Sequence, residues 1–221
     1  MLKRLKDTIW AQLYLTRRYR WLGVITGCLT LVMVVVLSIH GAKLKDSVPH
    51  GGVSLQLAGS AATAEAIIGK WRAANELDRV RGQVWWDFLF VVGYSGFLLY
   101  LGLACASVAE WRDTLEKRYG SGALYYAELK DFALACGLLG ILAGLMDVLE
   151  NFGILLMLDG HVGMLGGYIS VAMLTTLFAS LKFALIGLSF SGAFVARLES
   201  TRTLPAFPPV VVQSAPAGRP A

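Results

Sequence analysis

The sequence predicts an all-α membrane protein: a four-transmembrane-helix bundle with an amphipathic N-terminal helix and a small extracytoplasmic cap. Three observations carry this. Of the 221 residues, 56% are hydrophobic and only 16% charged, too little charge to cover a water-soluble domain of this length. Mean hydropathy is +0.61. Four apolar runs, 21–39, 85–108, 132–158 and 167–196, match or exceed the roughly 20 residues that a hydrocarbon core requires.

Residues 1–20 place Leu2, Leu5, Ile9 and Leu13 at helical spacing among Lys3, Arg4, Lys6, Arg17, Arg18 and Arg20, the pattern of an interfacial helix on an anionic membrane surface. The run from Trp21 to Ile39 is too long for a signal-peptide core, and only a poor small-residue site (His40, Gly41, Ala42) follows it, so it reads as a retained first span. Segment 40–84 reads as an ordered cap. Within it Val53 to Leu57 alternate like a short strand, and 61–74 bring Ala64, Ile67, Ile68 and Trp71 onto one helical face, with Thr63 as the candidate N-cap. Trp85 and Trp86 open the second span, Tyr125 and Tyr126 precede the third, and Tyr168 opens the fourth, all as interface anchors. Between spans lie a cytoplasmic loop, 109–131, and a short outer turn, 159–166. The tail 197–221, with Pro205, Pro208, Pro209, Pro216 and Pro220, has a disordered composition.

Basic residues set the orientation. Segments 1–20, 109–131 and 197–221 carry six, four and three Lys or Arg. Segment 40–84 carries six, offset by Asp46, Glu65, Glu76 and Asp78, and 159–166 carries none. The positive-inside rule therefore puts both termini in the cytoplasm of a bacterial inner membrane. The net charge of +5 comes without a basic surface interleaved with aromatics, which excludes nucleic acid as a partner. Cys28, Cys105 and Cys136 lie singly in apolar runs and read as small buried packing residues, not as a disulfide framework or a zinc site. His40, His50 and His161, all predicted outside, show no ligand spacing. No metal and no cofactor is expected. Nucleophile-elbow, zinc-protease, P-loop and dinucleotide patterns do not occur.

The chemistry sits inside the spans. A charged side chain at mid-membrane costs about 2.5–3.5 kcal/mol even on lenient scales. Asp147, Glu150 and Asn151 fall at i, i+3 and i+4 of one helix, so they share a face, and Gly144, Gly140 and Gly137 continue that stripe where a neighbour can approach closely. Counting along helices, Glu150 and Tyr94 lie about 12 Å below the outer interface, Asp147 about 16 Å and the Lys182 backbone about 21 Å. A lysine side chain spans most of that difference, so an Asp147–Lys182 ion pair is expected. Asp87 lies near the mouth, with Tyr94 seven residues on along the same face.

These residues read as an outward-opening polar pocket. Asp87 and Tyr94 line its entrance, Glu150 and Asn151 contact a ligand, and Asp147 with Lys182 forms the floor. Glu150, with no cation expected beside it, is the candidate for a group protonated near neutral pH. Bland readings stand beside each: Asp87 as a helix cap, Asp147–Lys182 as a fixed bridge, Tyr94 as packing.

The stretch Leu57 to Ser60, then Ala64 to Ile68 with Trp71, then Asp87 to Phe90 with Tyr94, Asp147 to Asn151, and Leu181 to Phe183 resemble small four-span bacterial inner-membrane proteins without an assigned activity. The resemblance covers about residues 50–190 and implies location and topology alone. The preferred reading is non-enzymatic: a bundle holding a small polar or amphipathic ligand, a lipid, an ion or a proton. The rivals are an intramembrane lipid- or isoprenoid-modifying enzyme with Glu150 as general acid or base, and a scaffold or assembly factor. Membrane lipids are expected partners, and a second copy of the chain is a candidate one.

Overall fold

The computed structural model of the chain describes residues 2–44, 48, 51–119, 123–165 and 169–201. Six helices and one small hairpin follow in order: α1 (Leu2–Leu44), α2 (Val53–Gln56), α3 (Ala61–Ala73), α4 (Leu77–Tyr119), α5 (Ala123–Leu158), β1 (Met164–Leu165), β2 (Ile169–Ser170) and α6 (Val171–Thr201). Among the described residues, four segments are long and apolar enough to cross a membrane: Tyr19–Ala42, Leu77–Thr114, Tyr126–Leu158 and Val171–Glu199.

Helices α4, α5 and α6 form the core trio, and α1 packs along α4. The flank of α1 turned away from α4 stays open, with Trp21 73% and Leu31 69% exposed, as suits a helix sealed by lipid. The same one-sided packing leaves Cys28 exposed while Cys105 and Cys136 are buried, so the reading of all three as buried packing residues fails at Cys28. Close approach of the trio is made by glycine. A Cβ on Gly102 of α4 would fall 2.7 Å from both the Ala133 carbonyl oxygen and the Gly137 Cα of α5.

The helices extend beyond the apolar windows. The segment 1–20 is not a separate interfacial element, because α1 runs unbroken from Leu2 through Trp21. The loop 109–131 is mostly helix: α4 continues to Tyr119 and α5 starts at Ala123. Hydropathy reports which residues meet lipid, whereas the i→i−4 hydrogen-bond ladder continues through polar flanks until something breaks it. Between α3 and α4 that break is Asn75, which takes a left-handed φ of 56° while the Glu76 N–H donates to the Trp71 carbonyl at 2.8 Å.

Two further expectations are corrected. Val53–Gln56 is a single helical turn with Leu55 buried and Val53 and Leu57 exposed, not a strand. An isolated strand there would leave its backbone unpaired, and one turn of helix satisfies it locally. The fourth span, read from 167, becomes helical only at Val171, because Met164–Leu165 and Ile169–Ser170 pair antiparallel ahead of it. The Ser170 hydroxyl then accepts from the Met173 N–H at 3.1 Å and caps α6. Tyr126 is buried against Arg112 of α4 and not free at an interface, whereas Trp85 and Trp86 are exposed. Tyr125, Tyr168 and the Pro-rich tail from 202 lie outside the residues whose side chains are described.

The cap is built on α3. Ala64, Ile68 and Trp71 form its buried face and join Leu44, Val80, Val84, Ile154, Met157 and Val171 in one apolar cluster over the ends of the spans. Its N-cap is Ser60, not Thr63: Ser60 is extended (φ −143°, ψ 155°) and its hydroxyl accepts from the Thr63 N–H at 3.2 Å. Ser60→Ala should lower cap stability by about 1 kcal/mol and speed amide exchange over residues 61–64, with exchange in the spans unchanged. Two contacts tie the cap end together. The Gly59 N–H donates to Thr176 Oγ1 at 3.0 Å, and Arg81 of α4 pairs with Asp159 beyond α5 at 2.5 Å.

Candidate functional site: a buried carboxylate–lysine cluster

Each core helix contributes polar side chains to one depth of the trio. From α4 come Asp87 and Tyr94, seven residues apart on one face. From α5 come Asp147, Glu150 and Asn151, and from α6 comes Lys182. Asp147, Glu150 and Asn151 are at most 1% exposed, Lys182 5% and Tyr94 6%, while Asp87 is half-buried. Burying so much charge is tolerable only where the groups satisfy one another.

They do so in two linked sets. In the deeper set, Lys182 Nζ donates to Asp147 Oδ1 at 2.9 Å, and the Tyr94 hydroxyl donates to Asp147 Oδ2, also at 2.9 Å. Both oxygens of Asp147 are therefore engaged. The same Nζ lies 2.7 Å from Glu150 Oε2, an ion contact off the hydrogen-bonding direction, and Glu150 Oε1 has no hydrogen-bond partner among the described residues. One ammonium thus serves two buried carboxylates. Its outer side rests over the Phe183 ring, 4.9 Å from the centroid. In the shallower set, Asn151 Nδ2 donates to Asp87 Oδ2 at 2.9 Å. Asp87 remains close enough to Asp147 and Lys182 for their charges to interact.

The structure therefore brings the Asp147–Lys182 pair together and changes the expected layout in two respects. Tyr94 does not stand beside Asp87 at an entrance, because its hydroxyl is committed to Asp147 and its ring packs on Phe90 (5.2 Å between centroids). Glu150 does not lack a cation, because Lys182 reaches across both carboxylates. Lys182 sits near the middle of α6, and its four-carbon stem lets the head group lie between residues 147 and 150, one turn apart on α5.

The two ends of the cluster face different surroundings. Toward the cap, Asp87 and Asn151 line a cavity of about 340 Å³ together with Ser38 of α1, Gln56 of α2, Trp71 of α3 and Gln83 of α4. Toward the other end, Leu98, Ala143, Leu185 and Ile186 form an apolar layer beside Tyr94. The next buried polar side chain along α6 is Ser189, seven residues and about 10 Å on, whose hydroxyl donates to the Cys136 carbonyl at 2.7 Å. The cluster is thus adjacent to polar space at the cap and walled off below.

Sequence reasoning missed Gln83, Thr175 and Ser189, and read Trp71 as part of the cap face without placing it at the cavity. Gln83 lies four residues before Asp87, so the helical face that carries Asp87 and Tyr94 could have been extended one turn to find it. Thr175 and Ser189 each bond a backbone carbonyl, Thr175 one turn back at Val171, and short hydroxyls of this kind leave little trace in sequence.

Residues 106–204 match the model of the MotA/TolQ/ExbB proton channel family. The match spans a little under half of the chain. It takes in the end of α4, all of α5 and α6, and so Asp147, Glu150, Asn151 and Lys182, but stops short of Asp87 and Tyr94. No curated protein and no solved structure matched the chain. Together with the four apolar helices, the similarity identifies a multi-pass helical membrane protein.

Proposed function

We propose that this chain handles protons within a bacterial inner membrane, with both termini in the cytoplasm and the Asp147–Lys182–Glu150 cluster as its proton-binding element. The observation that carries this reading is a charge deficit. Two buried carboxylates share a single ammonium, so the trio is one positive charge short when fully ionised. In a medium of low dielectric a lone proton is the smallest species that removes the deficit. Glu150 Oε1, which no donor among the described residues reaches, is where it would reside. Asp87 and Asn151 supply the approach from the cap cavity, and Tyr94 holds Asp147 so that Lys182 can swing its charge between Asp147 and Glu150. The partial match to a proton channel family supports the same class of activity. The apolar layer below Tyr94 implies that onward transfer needs helix movement or assembly with another chain, for which a second copy is the first candidate.

The test uses the purified full chain in liposomes with an imposed potassium diffusion potential and an internal pH dye, alongside infrared spectra of the protein. Wild type should acidify or alkalinise the lumen according to the sign of the potential, and its spectrum should hold a protonated-carboxyl band. Glu150→Gln should reduce flux to that of empty liposomes and remove the band, while Glu65→Gln on the exposed side of α3 leaves both intact. A wild type with no flux and no band assignable to Glu150 would end this reading and leave the cluster a structural bridge.

A further inference from the structure

The cavity beneath the cap contains more unmet hydrogen-bonding capacity than proton entry alone explains. Trp71 lines it, is fully buried, and has an indole N–H with no partner among the described residues; Gln83 also lines it, with a buried Oε1 that accepts nothing from them. Asp87 contributes its second carboxylate oxygen, since Asn151 takes only Oδ2. Buried donors and acceptors without partners cost about 1–3 kcal/mol each, so two such residues lining one cavity call for an explanation. The remaining walls are apolar: Leu37 from α1, Leu55 from α2, Val80 and Val84 from α4, and Ile154 from α5. A volume of about 340 Å³, mostly apolar and with a few convergent polar groups, has the character of a small-molecule site.

From this we infer that the cap cavity binds a small organic ammonium that carries a hydrogen-bond acceptor on its apolar body. The charge argument is direct. Among the described residues lining the cavity, Asp87 is the charged side chain, and it is an anion, so there a cation is complemented and an anion is repelled. The ammonium donates to Asp87 Oδ1. A small turn of the Gln83 and Trp71 side chains, whose unpartnered atoms are otherwise closed off, brings Gln83 Oε1 to the ammonium and the Trp71 N–H to the acceptor, and the aliphatic walls cover the body between them. Water could fill the same space, but the apolar walls would leave most of it without partners. Because the cavity draws on α1, α2, α3, α4 and α5 at once, occupancy would also clamp the cap onto the spans. The site stands on these cavity groups and does not depend on proton transfer at Lys182.

Tyramine is a suitable probe, and tyrosol, which replaces its ammonium by a hydroxyl, is the matched neutral control. Isothermal titration of the full chain in detergent should give saturable one-to-one binding of tyramine, with tyrosol roughly ten- to hundredfold weaker. Gln83→Leu, which leaves the Asp87–Asn151 bond in place, should weaken tyramine by about tenfold, and Asp87→Asn by at least as much. Glu65→Gln should bind as wild type. Equal affinity for tyramine and tyrosol, absence of saturable binding, or indifference to Gln83→Leu would each overturn the assignment. None of these results bears on proton flux, so the two readings fail separately.

Discussion

Lys182→Met is expected to destabilise the protein by about 3–5 kcal/mol, the largest effect of any single substitution in the cluster. The methionine fills a similar volume, so packing is nearly conserved and the loss is electrostatic. What remains is two carboxylates, on residues at most 1% exposed, with no cation between them. Asp147 keeps the Tyr94 hydroxyl, but Glu150 keeps no partner among the described residues. Thermal or denaturant unfolding in detergent should show the drop directly. Repair needs both acids. Lys182→Met with Asp147→Asn still strands Glu150, whereas adding Glu150→Gln removes the last buried charge and should recover most of the stability. A Lys182→Met protein that melts like wild type would mean that Asp147 too is neutral or hydrated, so that no ammonium is being shared, and the charge argument for a proton site would lose its basis.

The same cluster marks how far sequence reasoning reaches. The four spans are legible because apolar runs of that length have one inexpensive environment, and the acids inside them are conspicuous by their cost. Asp147 and Lys182 meet because counting at about 1.5 Å per residue already sets them at compatible depths. Depth, however, is one coordinate of three. That Lys182 also reaches Glu150 depends on how α6 is rotated against α5, and that Tyr94 turns to Asp147 rather than to the cavity depends on how α4 is. Neither rotation is written in a hydropathy profile. The ends of the helices were illegible for a different reason: residues 77–84 and 109–119 are polar enough to look like loop, yet nothing in them interrupts the backbone ladder. The cap strand failed because an alternating pattern of five residues specifies a strand only where a partner edge exists, and near Val53–Gln56 none does among the described residues.

Those rotations are held by glycine contacts, and the second large effect is expected there. Gly102→Ala should destabilise the α4–α5 pair by about 1–3 kcal/mol, and Gly102→Leu should prevent native packing. The reason is what the new Cβ would strike. The Ala133 carbonyl oxygen, the Gly137 Cα and the Gly137 nitrogen lie 2.7, 2.7 and 2.8 Å away, all backbone atoms that cannot rotate aside as a side-chain tip would. Relief requires the helices to separate. Gly102 lies eight residues from Tyr94, about 12 Å along α4, so separation there propagates toward the 2.9 Å Tyr94–Asp147 bond. Gly187 on α6 is the control: nothing lies within 4 Å of its would-be Cβ, and Gly187→Ala should be neutral or stabilising by up to about 1 kcal/mol through helix propensity. Unfolding measurements on the three variants separate crowding from propensity. If Gly102→Ala and Gly187→Ala behave alike, then α4 and α5 do not approach as closely as their glycines allow, and the positions of Asp87 and Tyr94 over α5 would need another cause.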